Sequence, residues 1–404
     1  MRIVCALLLA ALSAAAVDKK AIIPADGPPP VGPYTPGIMA GEFLYVSGQG
    51  ARGPDGKIPS NFEEQATNCL NNVKKIVEAA GLTMEHIVYT QIYFKDISNY
   101  PKLDPILLKY FPRNPPARAT LGVYRMPTET PIEINAVAVR DLSRKKPVIP
   151  PGYKHGGAIV PGVKVGDRLY ISGFLGRDPA TGNLPSDPAA QVQFALDRFK
   201  TVLTAAGMDF RHLVFVNPYL TKAMPMGVMN KVYAKHFDFG NAPARATIVV
   251  NELPMGANIA FTGVAIGDLS KRKAVRPKNM SPSATASPCV WADDTYYCSA
   301  KSGFIPGPNG GIYAETVDNQ VRQTMRNLLD GLEEAGLGFS NVVASNVYVD
   351  NLDEFSKMNA VYGSYFKEMP PTRTTVAPLP PVERKQAERG AWPKLEEVSI
   401  IAVK

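Results

Sequence analysis

Long apolar runs are scarce in this 404-residue sequence. None approaches the ~20 residues that a membrane-spanning helix needs, so no membrane partner is expected of the mature chain. The four histidines, His86, His155, His212 and His236, show no metal-ligand spacing. His86 and His212 occupy matching positions that suit local hydrogen bonding. No glycine-rich phosphate loop follows a strand, and no serine sits in a nucleophile elbow. These gaps point away from a metal centre, a nucleotide-binding enzyme and a serine hydrolase.

What is present is ordinary for a globular chain, with 45% hydrophobic and 20% charged residues. The length favours two or three domains. The 37 prolines and 33 glycines alternate with periodic apolar segments, a pattern of many turns rather than disorder. The first sixteen residues differ: Met1-Arg2 precedes an unbroken apolar and small-residue run that closes on Ala14-Ala15-Ala16. This is the form of an export signal, so a secreted or periplasmic protein is expected. The net charge of +8 is concentrated in two stretches, residues 140–147 and 268–278. Both lie between apolar units and read as solvated basic linkers. No nucleic-acid partner is therefore expected, because the units themselves are nearly neutral.

Internal repetition organises the rest. Asn114-Pro115-Pro116-Ala117-Arg118-Ala119-Thr120 returns as Asn241-Ala242-Pro243-Ala244-Arg245-Ala246-Thr247, then as Met369-Pro370-Pro371-Thr372-Arg373-Thr374-Thr375. Leu44-Tyr45-Val46-Ser47-Gly48 returns as Leu169-Tyr170-Ile171-Ser172-Gly173 and as Tyr296-Tyr297-Cys298-Ser299-Ala300. Landmarks in one order at one period mark three diverged copies, each long enough to own a core. The expected layout is a leader over 1–16, units over 22–142, 153–269 and 283–404, and linkers over 143–152 and 270–282.

Within a unit, residues 38–46 read as two short strands. Asn61 caps a helix carrying the stripe Ala66, Leu70, Val73, Val77 and Ala80, with Gly81 as its stop. A strand over 87–94, a second helix, and strands over 118–123 and 132–139 complete the order β-β-α-β-α-β-β. That order predicts an α+β fold, a mixed sheet with two helices on one face.

Gly32-Pro33-Tyr34, Tyr45-Val46-Ser47-Gly48-Gln49, Pro116-Ala117-Arg118-Ala119-Thr120 and Ile132-Glu133-Ile134 together resemble the signature of the RidA (YjgF) family of imine deaminases. The resemblance spans residues 30–140 and, with erosion, the other two copies. It implies a chorismate-mutase-like fold, pockets between neighbouring units and no metal or organic cofactor. It also implies that an arginine grips the carboxylate of a 2-imino or 2-enamino acid, which water converts to a 2-keto acid and ammonia. On chemical grounds a planar guanidinium fork suits a carboxylate, and a carboxyl is needed to move protons between water and the leaving amine. Arg118 and Glu133 fit these roles if Glu133 returns on an adjoining strand, with Tyr34, Ser47 and Gly48 contributing to the substrate site. Read from the residues alone, a cross-strand ion pair is the favoured account of the two, and the family signature reverses that preference.

The copies are unequal. The second keeps Ser172, Arg245 and Asn230, the asparagine matching a family position on the second helix, but has Ile159 for the tyrosine and Ala260 for the glutamate. The third keeps Ser299, Arg373, Asn359 and Glu397, has Ala286 and Ala300 for Tyr34 and Gly48, and lengthens the arginine-to-glutamate interval by nine residues. The first has Asp104 in place of the asparagine. The pocket built on Arg118 is therefore the expected active one. A protein that binds small carboxylates without turnover, and an endoribonuclease, are the alternatives. Linkers of roughly ten residues reach ~33 Å when extended, enough for one chain to close into a monomeric pseudo-trimer.

Removal of the leader takes Cys5 and leaves Cys69, Cys289 and Cys298. Cys69 fits a helix core. If Asp293-Asp294 is a two-residue turn, counting outward sets Cys289 directly opposite Cys298, where a disulfide can close.

Overall fold

Asn61 accepts a hydrogen bond from the Glu64 amide and starts a helix, Phe62–Ala79, whose apolar stripe packs down on a sheet. The chain leaves this helix through Gly81 at φ +76°, a left-handed conformation that glycine adopts without a Cβ penalty. In the computed structural model, which describes residues 17–153, 156–278, 280–307 and 310–404, this pattern occurs three times. The leader over 1–16 and His155 lie outside the described residues.

In the first unit the sheet runs, in spatial order, Lys19–Ile22, Gly37–Ala40, Phe43–Gly50, Ile132–Val139, Ile87–Phe94, Ala117–Gly122. Only the last pair is parallel, because the helix Leu103–Tyr110 crosses between its two strands. Both helices cover one face. The second unit repeats the plan with Lys145–Val148, Gly162–Val165, Arg168–Leu175, Ile259–Ile266 and Leu213–Leu220, and its outer strand is broken into Ala244–Arg245 and Ile248–Val249. The third follows with Arg272–Val275, Cys289–Ala292, Thr295–Lys301, Glu396–Val403, Val342–Val349 and Thr372–Val376. The predicted α+β class and its mixed sheets are what is observed.

The leading strand of each sheet is an addition. Lys145–Val148 and Arg272–Val275 lie inside the segments read as solvated linkers, yet each pairs antiparallel with the next strand of its unit. Their basic residues bind backwards to the preceding unit. Lys145 donates to the carbonyl oxygens of Glu85 and Asn114, both at 2.8 Å. Arg272 donates to the Leu213 carbonyl and the Asn241 side chain. The clustered charge is thus used to dock consecutive units.

The helix-free faces of the three sheets meet in a shared apolar cluster that includes Tyr45, Val139, Val163, Tyr170, Val264, Val290, Tyr297 and Val403. Matching strand positions stack in rings about a pseudo-threefold axis. Tyr45, Tyr170 and Tyr297 form one ring, and Tyr93, Tyr219 and Tyr348 another. Gln91 bridges the second ring, donating to Tyr93 and Tyr219 at 2.7 Å each. Light scattering is expected to return the mass of one chain; a threefold larger particle would contradict closure within the chain.

Cys289 and Cys298 are joined by a disulfide, in the register counted from the turn. Asp293 holds φ +59° at that turn. Cys69 is buried and free.

Candidate active site

The sheet order separates the two residues expected to work together. Arg118 stands on the edge strand Ala117–Gly122, and the strand Ile87–Phe94 lies between it and Ile132–Val139, which carries Glu133. Arg118 therefore faces the second unit, and Glu133 faces the third. The crossover that makes the edge strand parallel produces this separation, so the expectation of an antiparallel Arg118–Glu133 pair is corrected.

Each junction is built the same way, in cyclic order. A serine hydroxyl accepts from the backbone amide of an arginine in the neighbouring unit: Ser47 from Arg373 at 3.0 Å, Ser172 from Arg118 at 2.8 Å, and Ser299 from Arg245 at 2.8 Å. Each hydroxyl proton is given to a backbone carbonyl of its own unit, Thr35, Val160 or Ser287. With its proton committed, the serine fixes the arginine's backbone and has no donor left for a substrate, which corrects the role expected of it.

The arginine side chains diverge. The Nη1 atoms of Arg373 and Arg245 donate to Asn359 and Asn230, each at 2.8 Å, neutral partners that orient without cancelling charge. Among the described residues neither arginine has an ion pair. Arg118 donates to Asp104 at 2.7 Å, and that carboxylate already occupies the guanidinium. Its junction offers only about 40 Å³, lined by Tyr100, Ile159, Gly173, Tyr219 and Ala260, and among the described residues no carboxyl lines it. The pocket expected to be active is closed by its own charge pair.

At the junction of the first and third units, a cavity of about 70 Å³ brings together Tyr34, Gly48, Glu133, Phe355, Arg373 and Thr375. Arg373 is only 4% exposed, and its guanidinium lies 5.1–5.7 Å from the ring centres of Tyr34, Phe355 and Tyr362, within cation–π range. The approach is close: a Cβ on Gly32 would fall 2.5 Å from Arg373 Nη2. Burial pushes the Glu133 carboxyl up to about 8, opposed by the nearby positive charge of Arg373. Gly48 makes room for that carboxyl, since a Cβ there would sit 1.9 Å from Glu133 Oε1.

The third junction shows what a side chain at that position entails. Ala300 replaces Gly48, and Glu397, in the register of Glu133, pairs with Lys394 at 2.6 Å. The adjoining cavity, about 210 Å³, is walled by the lengthened loop through Leu379, Pro380 and Val382. Arg245 lies near enough for the Glu397 charge to act on it.

Thr375, two residues beyond Arg373 on the same strand face, escaped the sequence reading. Its buried Oγ1 has no protein partner, as is true of Thr247 beside Arg245. The recurring Arg-x-Thr was the available signal. The histidines act locally, as expected: His86 Nδ1 accepts from the Thr83 amide and His212 Nδ1 from the Asp209 amide.

Three α+β units around one axis, with an arginine set into every junction, define a class of proteins whose pockets belong to pairs of units. The chain belongs to the Endoribonuclease L-PSP family, the RidA (YjgF) family of the sequence resemblance, which matches residues 25–140, 155–266 and 277–381. It is 38% identical over 122 residues to a RutC family protein of Saccharolobus solfataricus, covering 30% of this chain and 97% of that one. It is 37% identical over 125 residues to the 2-iminobutanoate/2-iminopropanoate deaminase of Escherichia coli K12, covering 30% and 98%. A solved structure of the YjgF gene product from E. coli is 36% identical, covers 30% of this chain and 99% of that one, and has a TM-score of 0.29.

Proposed function

We propose that the Arg373–Glu133 pocket hydrolyses small 2-imino or 2-enamino acids to 2-keto acids and ammonia. The observation that carries this reading is the meeting, in one small cavity, of an arginine without a counter-ion and a buried carboxyl pushed up to about 8. The substrate carboxylate lies on the free N–H groups of Arg373, in charge-assisted bonds worth roughly 1.5–3 kcal/mol each. Thr375 Oγ1 is a further donor on the same strand face. Glu133 takes a proton from water as the oxygen adds to the imine carbon. It returns that proton to nitrogen, and collapse of the carbinolamine releases ammonia. A carboxyl titrating near neutrality serves both steps. The small cavity favours short side chains.

Several features of the chain support a single working pocket in an exported monomer. Asp104 occupies Arg118, Lys394 engages Glu397, and the Cys289–Cys298 bridge suits the oxidising compartment to which the leader over 1–16 points. The Lys394–Glu397 pair favours a second reading for the Arg245 junction, carboxylate binding without turnover, because a carboxylate held by an ammonium is a poor proton donor. The endoribonuclease alternative has less support, since the linker bases dock units to each other.

The test is loss of a 2-imino acid generated in situ by an amino-acid oxidase, monitored as keto acid and ammonia formed. Acceleration over the uncatalysed reaction is expected; no acceleration, with RNA cleaved instead, would overturn the reading. Gly48→Ala is expected to lower this rate by about tenfold or more, because the new methyl displaces the Glu133 carboxyl. Circular dichroism should show the fold intact, and an unchanged rate would mean that the carboxyl's position is unimportant.

A further inference from the structure

The stacking of rings about the pseudo-threefold axis is complete in two sectors and interrupted in the third. Tyr89, Phe215 and Ala344 hold matching places on the three units, opposite Val137, Val264 and Ile401 on the adjoining strands. In two sectors this place carries a ring laid on the tyrosine of the next unit. Tyr89 lies on Tyr170, with centroids 6.2 Å apart and planes at 29°, and Phe215 lies on Tyr297, at 5.9 Å and 28°. The cyclic order gives the third sector Ala344 and Tyr45. Alanine has no ring to offer, and among the described residues Tyr45 has no stacking partner.

A cavity of about 90 Å³ is lined by both of these residues, together with Val137, Ile401, Asn135 and Asn346. Ile401 is one carbon larger than its counterparts Val137 and Val264, which does not close the space. Ala344, Val137 and Ile401 belong to the central apolar cluster and are only partly buried, because they border this cavity. The polar groups are two amides. Asn135 donates through Nδ2 to Thr374 at 2.8 Å and keeps Oδ1 as an acceptor. The Asn346 side chain makes no hydrogen bond among the described residues. Water would satisfy the amides and leave the face of Tyr45 and the aliphatic walls without dispersion partners. A flat ring carrying nitrogen serves both. Since a cavity of ~150 Å³ accepts benzene, about 90 Å³ limits the guest to one small ring.

We propose that this axial cavity binds a neutral, single-ring heteroaromatic molecule, stacked on Tyr45 in the place that Tyr89 and Phe215 fill in the other sectors, with its ring nitrogens on Asn346 and Asn135. The site draws its walls from all three units, so a bound ring stabilises the closed assembly.

The test uses the full mature chain with pyrazole and pyridine as probes and tetrahydrofuran, a saturated ring of similar size, as the comparison. Binding is read by saturation-transfer NMR on the probe protons and by the unfolding midpoint. A saturable rise of roughly 1–3 °C is expected for at least one aromatic probe at about ten times Kd, and none for tetrahydrofuran. Ala344→Phe supplies the third ring from the protein itself. It is expected to raise the midpoint by roughly 1–3 °C without any probe and to abolish both responses. Should that variant fail to fold, Ala344→Val narrows the space and is expected to weaken probe binding at least fivefold. Indifference of the wild type to both aromatic probes would leave a water-filled cavity and overturn the site. Equal responses in wild type and the Ala344 variants, or equal binding of tetrahydrofuran, would overturn it too. None of these results bears on imino-acid hydrolysis, which is assayed separately.

Discussion

Arg373→Ala and Glu133→Gln are each expected to slow imino-acid hydrolysis by about a hundredfold or more, whereas Arg118→Met leaves the rate within about twofold. The contrast follows from what each arginine already holds. Arg373 is oriented by the neutral Asn359 and keeps its charge for a ligand; Arg118 is engaged by Asp104. Glu133→Gln preserves shape while removing the titrating proton, so its loss belongs in kcat. Arg373→Ala removes the carboxylate's anchor and should also raise KM. Steady-state rates for the three variants decide the matter. A large loss with Arg118→Met and none with Arg373→Ala would show that the chemistry lies at the other junction.

A stability effect of comparable size is expected from pH. Burial pushes both Glu133 and Glu396 up to about 8. Glu396 is fixed in the third unit's core, accepting from the Gly303 amide at 3.0 Å and from Thr324 Oγ1. In the unfolded chain such carboxyls titrate near ~4.3. The folded form therefore holds protons that the unfolded form has released. The contribution is fully present below ~4.3 and is lost as pH rises towards 8. Glu133→Gln and Glu396→Gln should flatten this decline, each making the protein more stable at pH 8–9 by on the order of a few kcal/mol. Urea midpoints measured from pH 5 to 9 provide the check. Parallel pH profiles in wild type and variants would show that neither carboxyl is protonated when folded.

Local features of the fold were readable from the sequence because local rules govern them. The helix over Phe62–Ala79 follows from Asn61, its apolar stripe and Gly81. The Cys289–Cys298 register follows from the two-residue Asp293-Asp294 turn. The junctions were not readable, because repeats aligned one beneath another say which residues correspond and not which unit faces which. Arg118 and Glu133 are fifteen positions apart in one motif, yet strand insertion sends them to different neighbours. Asp104 was visible as an anomaly, but whether it acted on its own arginine or a neighbour's depended on the same missing order. Ser47 was misread for a related reason: its hydroxyl gives its proton to the Thr35 carbonyl while accepting from an amide 326 residues away. The leading strands were hidden in basic segments whose charge suggested solvent, when their partners were carbonyl oxygens of the preceding unit.

Joining the three units in one chain changes what a mutation can do. In an assembly of three identical chains, a substitution is written into every pocket at once, so an aspartate at the position of Asp104 would silence all three together. Here the same change is confined to one junction, and Arg373 remains free to bind. Each pocket can be lost, kept or retuned without asking permission of the others, so a fused gene of this kind can hold one pocket under selection while two explore other chemistry. The loop walling the Arg245 junction is material for that exploration: Leu379, Pro380 and Val382 line that cavity and neither of the other two junction cavities.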